Sequence, residues 1–130
     1  MTDIHVSAVL MRDAAGRVLT VRKTGTTKFM LPGGKPQGAE SSAQTAAREF
    51  EEELGVPLNP GNLTFVGEFR AAAANETGRD VVAQVFTHPY VEDVHARAEI
   101  DAVQWVDPRG KHPHQAPLNT EHVFPLLHAS

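Results

Sequence analysis

Residues 34–56, GKPQGAESSAQTAAREFEEELGV, carry the reading on which the fold turns. Ala43, Ala46, Ala47, Phe50 and Leu54 recur at three- and four-residue intervals, the spacing that lines one face of an amphipathic helix. Both ends are marked too. Ser41 followed by Gln44 fits a capping box, and Gly55 stands where a left-handed residue stops a helix. A helix is therefore expected over about residues 41–54. At about 100° per residue, Glu49, Glu52 and Glu53 fall within roughly one-third of its circumference, about 120° from the apolar stripe. Like charges at these spacings destabilise a helix by roughly 0.2–0.5 kcal/mol per pair. Either the row is a solvated face or a cation compensates it. Magnesium has the chemistry to do so, being a hard ion that takes carboxylate oxygens, keeps waters and bridges to substrate phosphates.

Upstream, residues 4–12 and 17–23 flank Asp13-Ala14-Ala15-Gly16 and read as a β-hairpin. Phe29-Met30-Leu31 is a short apolar run ended by Pro32-Gly33-Gly34, where paired glycines mean a close backbone approach or a tight turn. Downstream, residues 63–74 and 80–91 around Asn75-Glu76-Thr77-Gly78 read as a second pair of strands. Residues 100–106, with Trp105, form a further strand. After Asp107-Pro108 the chain is a Pro- and His-rich loop through Pro117. A terminal helix from about Thr120 accommodates Pro125 only if it begins late or runs a turn or two. No internal repeat or linker interrupts this order, so residues 1–130 are read as one α+β domain.

Composition narrows the function. The chain has 130 residues, 16 Asp and Glu against 12 Lys and Arg, and no Cys. A disulfide framework, a Cys-ligated metal and a thiol nucleophile are excluded. The net charge of −4 disfavours stable binding of a nucleic-acid duplex, which normally takes a basic patch. Setting aside Glu49, Glu51, Glu52 and Glu53 leaves 12 acids against the 12 bases, so the surplus matches one local cluster. No stretch is apolar enough for a membrane span, and Met1-Thr2-Asp3-Ile4-His5 does not resemble a leader. The expectation is a soluble cytoplasmic protein.

The quoted segment also contains a longer pattern: Gly34, five residues, Glu40, seven residues, then Arg48-Glu49-Phe50-Glu51-Glu52-Glu53-Leu54-Gly55-Val56. This resembles the signature of the Nudix hydrolases, with Phe50 in place of an aliphatic residue as the single departure. Average residue frequencies put a chance match on the order of one in ten million. Leu31-Pro32-Gly33-Gly34-Lys35 resembles the lead-in to that signature, and residues 100–106 resemble a late strand of the family, so the likeness covers residues 4–106. Phe50 lies on the apolar stripe, where it alters packing more than chemistry.

The resemblance implies an α/β/α Nudix sandwich with a mixed β-sheet. It also implies hydrolysis of a diphosphate linkage in a nucleoside triphosphate or another nucleoside diphosphate derivative, with Mg²⁺, or Mn²⁺ in its place. Glu49, Glu52 and Glu53 would ligate the metal together with the Gly33 carbonyl. Glu49, Arg48 and Glu52 would form the catalytic set, with Glu49 as general base and Arg48 orienting the carboxylates, although Arg48 could merely pair with Glu52. Glu40 would brace the loop or join the outer metal shell. Lys35 and Arg22 are either phosphate contacts or solvated charges, and Glu99 is a further ligand or base, or a plain strand-edge carboxylate. Phe29, Phe69 and Phe86 stack on a base or fill the core. Asn119 occupies a place similar to that of a base-reading Asn in MutT-type enzymes, or caps a helix, and His112 and His114 are solvated. The expected partner is a small-molecule nucleotide, with a homodimer common among similar enzymes. The competing reading is a catalytically silent nucleotide-sensing Nudix domain, and an isopentenyl diphosphate isomerase-like chemistry fails for want of a Cys.

Overall fold

A computed structural model describes residues 3–128, and Met1 and Thr2, on which the leader reading partly rests, lie outside them. Strand β1 (Ile4–Leu10) lies at the centre of a four-stranded sheet. It is flanked on one side by the two-residue β3 (Gly33–Gly34), antiparallel, and on the other by β5 (Asp80–Thr87), parallel. Strand β4 (Thr64–Ala72) pairs antiparallel with β5 and completes the mixed sheet in the order β3-β1-β5-β4. A second, two-stranded sheet pairs β2 (Val18–Lys23) with β6 (Ile100–Val106). Among the described residues no helix is long and apolar enough to cross a membrane.

Alternation along β1 serves two cores. Ala8 and Leu10 face one core, which also holds Val85 of neighbouring β5 and Val123 and Phe124 of the C-terminal segment. Val9 faces the other, with Ala46, Phe50 and Leu54 of helix α1 (Ser42–Leu54). With helices on both faces, the expected α/β/α sandwich is formed. The α1 boundaries follow their caps: Ser41 and Gln44 make the reciprocal capping box, and Gly55 closes the helix in the left-handed conformation at φ 79°. Phe50 is fully buried. Phe50→Leu should cost about 1–2 kcal/mol in denaturant unfolding and leave the catalytic constants within about twofold.

The first two strands do not form the expected hairpin. Asp13 does build the turn, its Oδ1 accepting the Ala15 and Arg17 amides at 3.0 and 2.8 Å. Beyond Leu10, however, the chain passes from the large sheet to the small one. Contact between the arms shrinks to an Arg12–Val18 bridge and the Leu19 amide donating to the Met11 carbonyl at 3.0 Å. Alternation fixes which face a strand buries but not which strand it pairs with, and both arms bury their apolar residues better on separate sheets.

The terminal helix forms in two pieces. A π-helical turn at Asn119–Val123 leads into α2 (Phe124–Leu127), whose Phe124 amide donates to the Asn119 carbonyl. Pro125 lies in the first turn of α2, directly after the π-helical turn.

Candidate active site

A cleft of about 490 Å³ opens between the two sheets and the C-terminal segment. One wall is Gly33, Gly34, Lys35 and Glu49. Its floor is apolar, with Ile4, Val6, Leu31 and Val81. Lys23 and Thr26 line the rim together with residues 72–76 of the β4–β5 connection, and Ala116, Leu118 and Asn119 close the far end.

The glycine pair lets β3 lie against α1 and β1 without side chains between them. A Cβ on Gly33 would overlap the Ser7 carbonyl oxygen and come within 2.8 Å of Ala8 Cα, while one on Gly34 would overlap the Glu49 carboxylate. Of the close approach and the tight turn left open by the sequence, the close approach is present, and the pair forms a short strand.

Glu53 is almost fully buried, and its Oε1 accepts the Gly33 amide at 3.1 Å. Burial pushes its carboxyl up to about 8, with Glu49 and Glu99 adding to the rise and the Gly33 amide and Lys23 opposing it. Burial also raises Glu49; the Arg48 guanidinium opposes this and neighbouring Glu52 adds to it. Arg48 organises the rest. Its Nε donates to Glu40 Oε2 at 2.6 Å, its Nη2 to the Lys35 carbonyl at 3.0 Å, and its Nη1 to both Glu52 oxygens at 3.2 and 3.1 Å. Glu49 Oε2 lies 3.6 Å from the same Nη1. Glu40 also accepts the Gln37 amide at 2.9 Å and the Thr45 hydroxyl at 3.0 Å, and the Arg48 guanidinium chiefly holds its carboxyl down at about 2. The fork thus fastens the loop between β3 and α1 to the carboxylate face of the helix.

With Glu53 held by Gly33 and Glu52 by Arg48, no three acidic or His side chains among the described residues converge on a common point. The donor chemistry nevertheless fits a hard divalent cation. Two neighbouring carboxylates are raised by burial with only partial compensation, and the oxygens available are carboxylate and carbonyl. Glu49, Glu52, Glu53 and the Gly33 carbonyl are the groups that could hold it.

In cation-free protein, folded Glu53 keeps its proton up to about pH 8, whereas the unfolded chain loses it near its ordinary 4.5. The folded state binds more protons in that window. This contribution to stability is therefore full below about pH 4.5 and lost as pH rises through about 8. Melting temperatures in chelator should show Glu53→Gln gaining on the native chain as pH rises across this window. A constant gap would contradict this.

Other expected residues scatter. Arg22 donates from Nε to Asp101 at 3.0 Å and lies over the Phe29 ring at 5.3 Å, outside the cleft lining. Lys23, where the pairing with β6 shifts register, lines the cleft and lies 3.4 Å from Glu99. Lys35 does line the cleft. Phe86 is core, Phe69 stacks on His122 at 5.7 Å, and neither joins the lining. His112 packs edge-on against Phe124 at 5.3 Å, and the His114 carbonyl accepts the Phe29 amide.

Asn119 is not a helix cap. Its side chain is fully buried at the end of the cleft, Nδ2 donates to Gln115 Oε1 at 2.9 Å, and its own amide already bonds the Ala116 carbonyl at 2.9 Å. The chain is helical before and after it, so no free first-turn amide faces its side chain. Asn119 Oδ1 is a buried acceptor without a protein partner, an arrangement that costs about 1–3 kcal/mol until something donates to it. Neither Lys23 nor Gln115 stands out in the sequence as a site residue. A strand bulge is silent in the sequence, and the sole sign of the amide pair is its four-residue spacing in an otherwise apolar helical segment.

A mixed sheet between helical layers, with a glycine loop and a carboxylate helix meeting at one cleft, defines a recognised class of α/β/α domain. The family model of the NUDIX domain matches residues 1–127, and the chain belongs to that family. It is 31% identical over 107 residues to a MutT-like protein of Streptomyces ambofaciens, covering 82% of this chain and 64% of that protein. A Myxococcus xanthus protein named an octanoyltransferase is 32% identical over 115 residues, covering 82% of this chain and 31% of that one. The chain thus spans less than two-thirds of either relative's length. The crystal structure of the MutT protein from Methanosarcina mazei Go1 superposes with a TM-score of 0.76 at 26% identity, over 95% of this chain and 91% of that one.

Proposed function

We propose that this domain is a pyrophosphohydrolase, cleaving a diphosphate linkage in a nucleoside triphosphate or another nucleoside diphosphate derivative. The observation that carries the reading is buried Glu53 beside Glu49 and the Gly33-Gly34 backbone, at the wall of a cleft with an apolar floor. A Mg²⁺ ion, or Mn²⁺ in its place, held by Glu49, Glu52, Glu53 and the Gly33 carbonyl supplies positive charge against the diphosphate and makes water more acidic. Glu49 takes a proton from water as the water oxygen bonds to phosphorus, the bridging P–O bond breaks and the leaving phosphate oxygen departs with the bonding pair. Arg48 keeps Glu49 and Glu52 oriented, and Glu40 holds Arg48. Lys35 and Lys23 face the cleft as phosphate contacts, and Asn119 meets the base at its far end.

The test is a nucleotide panel incubated with Mg²⁺ in ¹⁸O-water, with products read by mass spectrometry. One labelled oxygen in a single phosphorus product, abolished by chelator, is the expected result. Tight nucleotide binding with no product would overturn it in favour of a sensing domain.

A further inference from the structure

Gln115 does not line the cleft, yet it is one of the few buried polar side chains in the molecule and its Oε1 accepts the Asn119 Nδ2 hydrogen at 2.9 Å. Its backbone is fixed on both sides. The Phe29 amide donates to the His114 carbonyl at 2.7 Å, and the Ala116 amide donates to the Phe29 carbonyl at 2.8 Å. The Gln115 amide itself donates to His112 at 3.2 Å. Asn119 is therefore met by a partner that cannot easily drift.

An amide side chain can present either a donor or an acceptor to a ligand, depending on its rotation about the last bond. Here the donor side is engaged by Gln115, and the atom left unpartnered is Oδ1. We propose that Gln115 is a specificity-determining positioning residue. By holding Asn119 Nδ2, it fixes Oδ1 as the group offered at the end of the cleft and so selects a nucleobase with an N–H donor at that point. The inference rests on the reading of this cleft as a nucleotide site with the base at Asn119. A ligand with an acceptor there would face Oδ1 lone pair to lone pair, and one with a C–H would leave the oxygen unsatisfied.

The experiment is calorimetric titration of the full chain, without metal, with nucleoside 5′-monophosphates. The best-binding base is then compared with analogues in which each N–H is removed or methylated in turn. In the native chain, loss of one particular N–H should weaken binding by about tenfold or more, and Asn119→Ala should erase that difference. Gln115→Met removes the acceptor at similar length, frees the Asn119 amide to rotate, and should shrink the discrimination to below about threefold. Gln115→Glu, which in its ionised form can only accept, should restore it. If the native chain instead favours the blocked analogue and Gln115→Glu turns that preference towards the N–H, the amide pair is oriented the other way and the proposal falls. It also falls if Gln115→Met keeps full discrimination while melting like the native chain. Equal binding of Asn119→Ala and native chain would remove the base-contact reading itself, leaving the hydrolytic assignment standing.

Discussion

Glu53→Gln is expected to lower turnover by about 10³-fold or more while raising the melting temperature of the cation-free protein. The two effects have one cause. The carboxylate is almost wholly buried, and its only direct hydrogen-bonding partner among the described residues is the Gly33 amide at 3.1 Å. Its ionised form is therefore poorly solvated, which is why burial lifts its proton affinity to about 8. An amide of the same shape keeps the bond to Gly33 through its carbonyl oxygen and need not take up a proton to fold above about pH 4.5, so the fold gains. The same change removes an anionic oxygen from the set facing the diphosphate, and losing several kcal/mol of charge stabilisation there corresponds to about three orders of magnitude in rate. Steady-state kinetics and a thermal melt on one preparation test both halves. Activity within tenfold of native, or a lower melting temperature, would refute the argument.

The adjacent glycines should fail in different ways. Gly33→Ala places a methyl group against backbone, the Ser7 carbonyl and Ala8 Cα, where no rotamer change gives relief. The pairing of Ala8 with Gly33 must open, so about 3 kcal/mol or more of stability should be lost along with activity. The atoms nearest a Cβ on Gly34 all belong to the Glu49 side chain, which can swing aside. The Gly34→Ala variant should fold within about 1 kcal/mol of native and still lose activity by about 10²-fold, because Glu49, the proposed general base, is displaced. Denaturant unfolding and kinetics together separate the cases. Equal stability losses in the two variants would contradict the geometry.

Much of the carboxylate helix was legible from residues 34–56. Its apolar spacing, its capping box and its terminal glycine are local signals, and the helix runs from Ser42 to Leu54 as they require. Strands β4, β5 and β6 were legible for the same reason, within a few residues at their ends. What was hidden depends on partners distant in sequence. The first two strands alternate like a hairpin but join different sheets, and only the assembled fold decides that. Arg22 and Lys23 are adjacent cations, and only the assembled strand shows which one enters the cleft. Asn119 carried the right residue type in a suggestive place. Its burial against Gln115 is visible only once the C-terminal segment is packed against the sheets. The resemblance to the family supplied the chemistry expected of each carboxylate, while the fold supplied the restraint on each: Arg48 between Glu40 and Glu52, and Gly33 on Glu53.

The central claim is that Glu49, Glu52, Glu53 and the Gly33 carbonyl form a divalent-cation site. Titration of the full chain with Mn²⁺, followed by electron paramagnetic resonance of the free ion, addresses it without reference to any substrate. Saturable binding in the native chain, weakened by about tenfold or more in Glu53→Gln, is the predicted result. Mn²⁺ that stays free throughout, or binds both proteins alike, would contradict it.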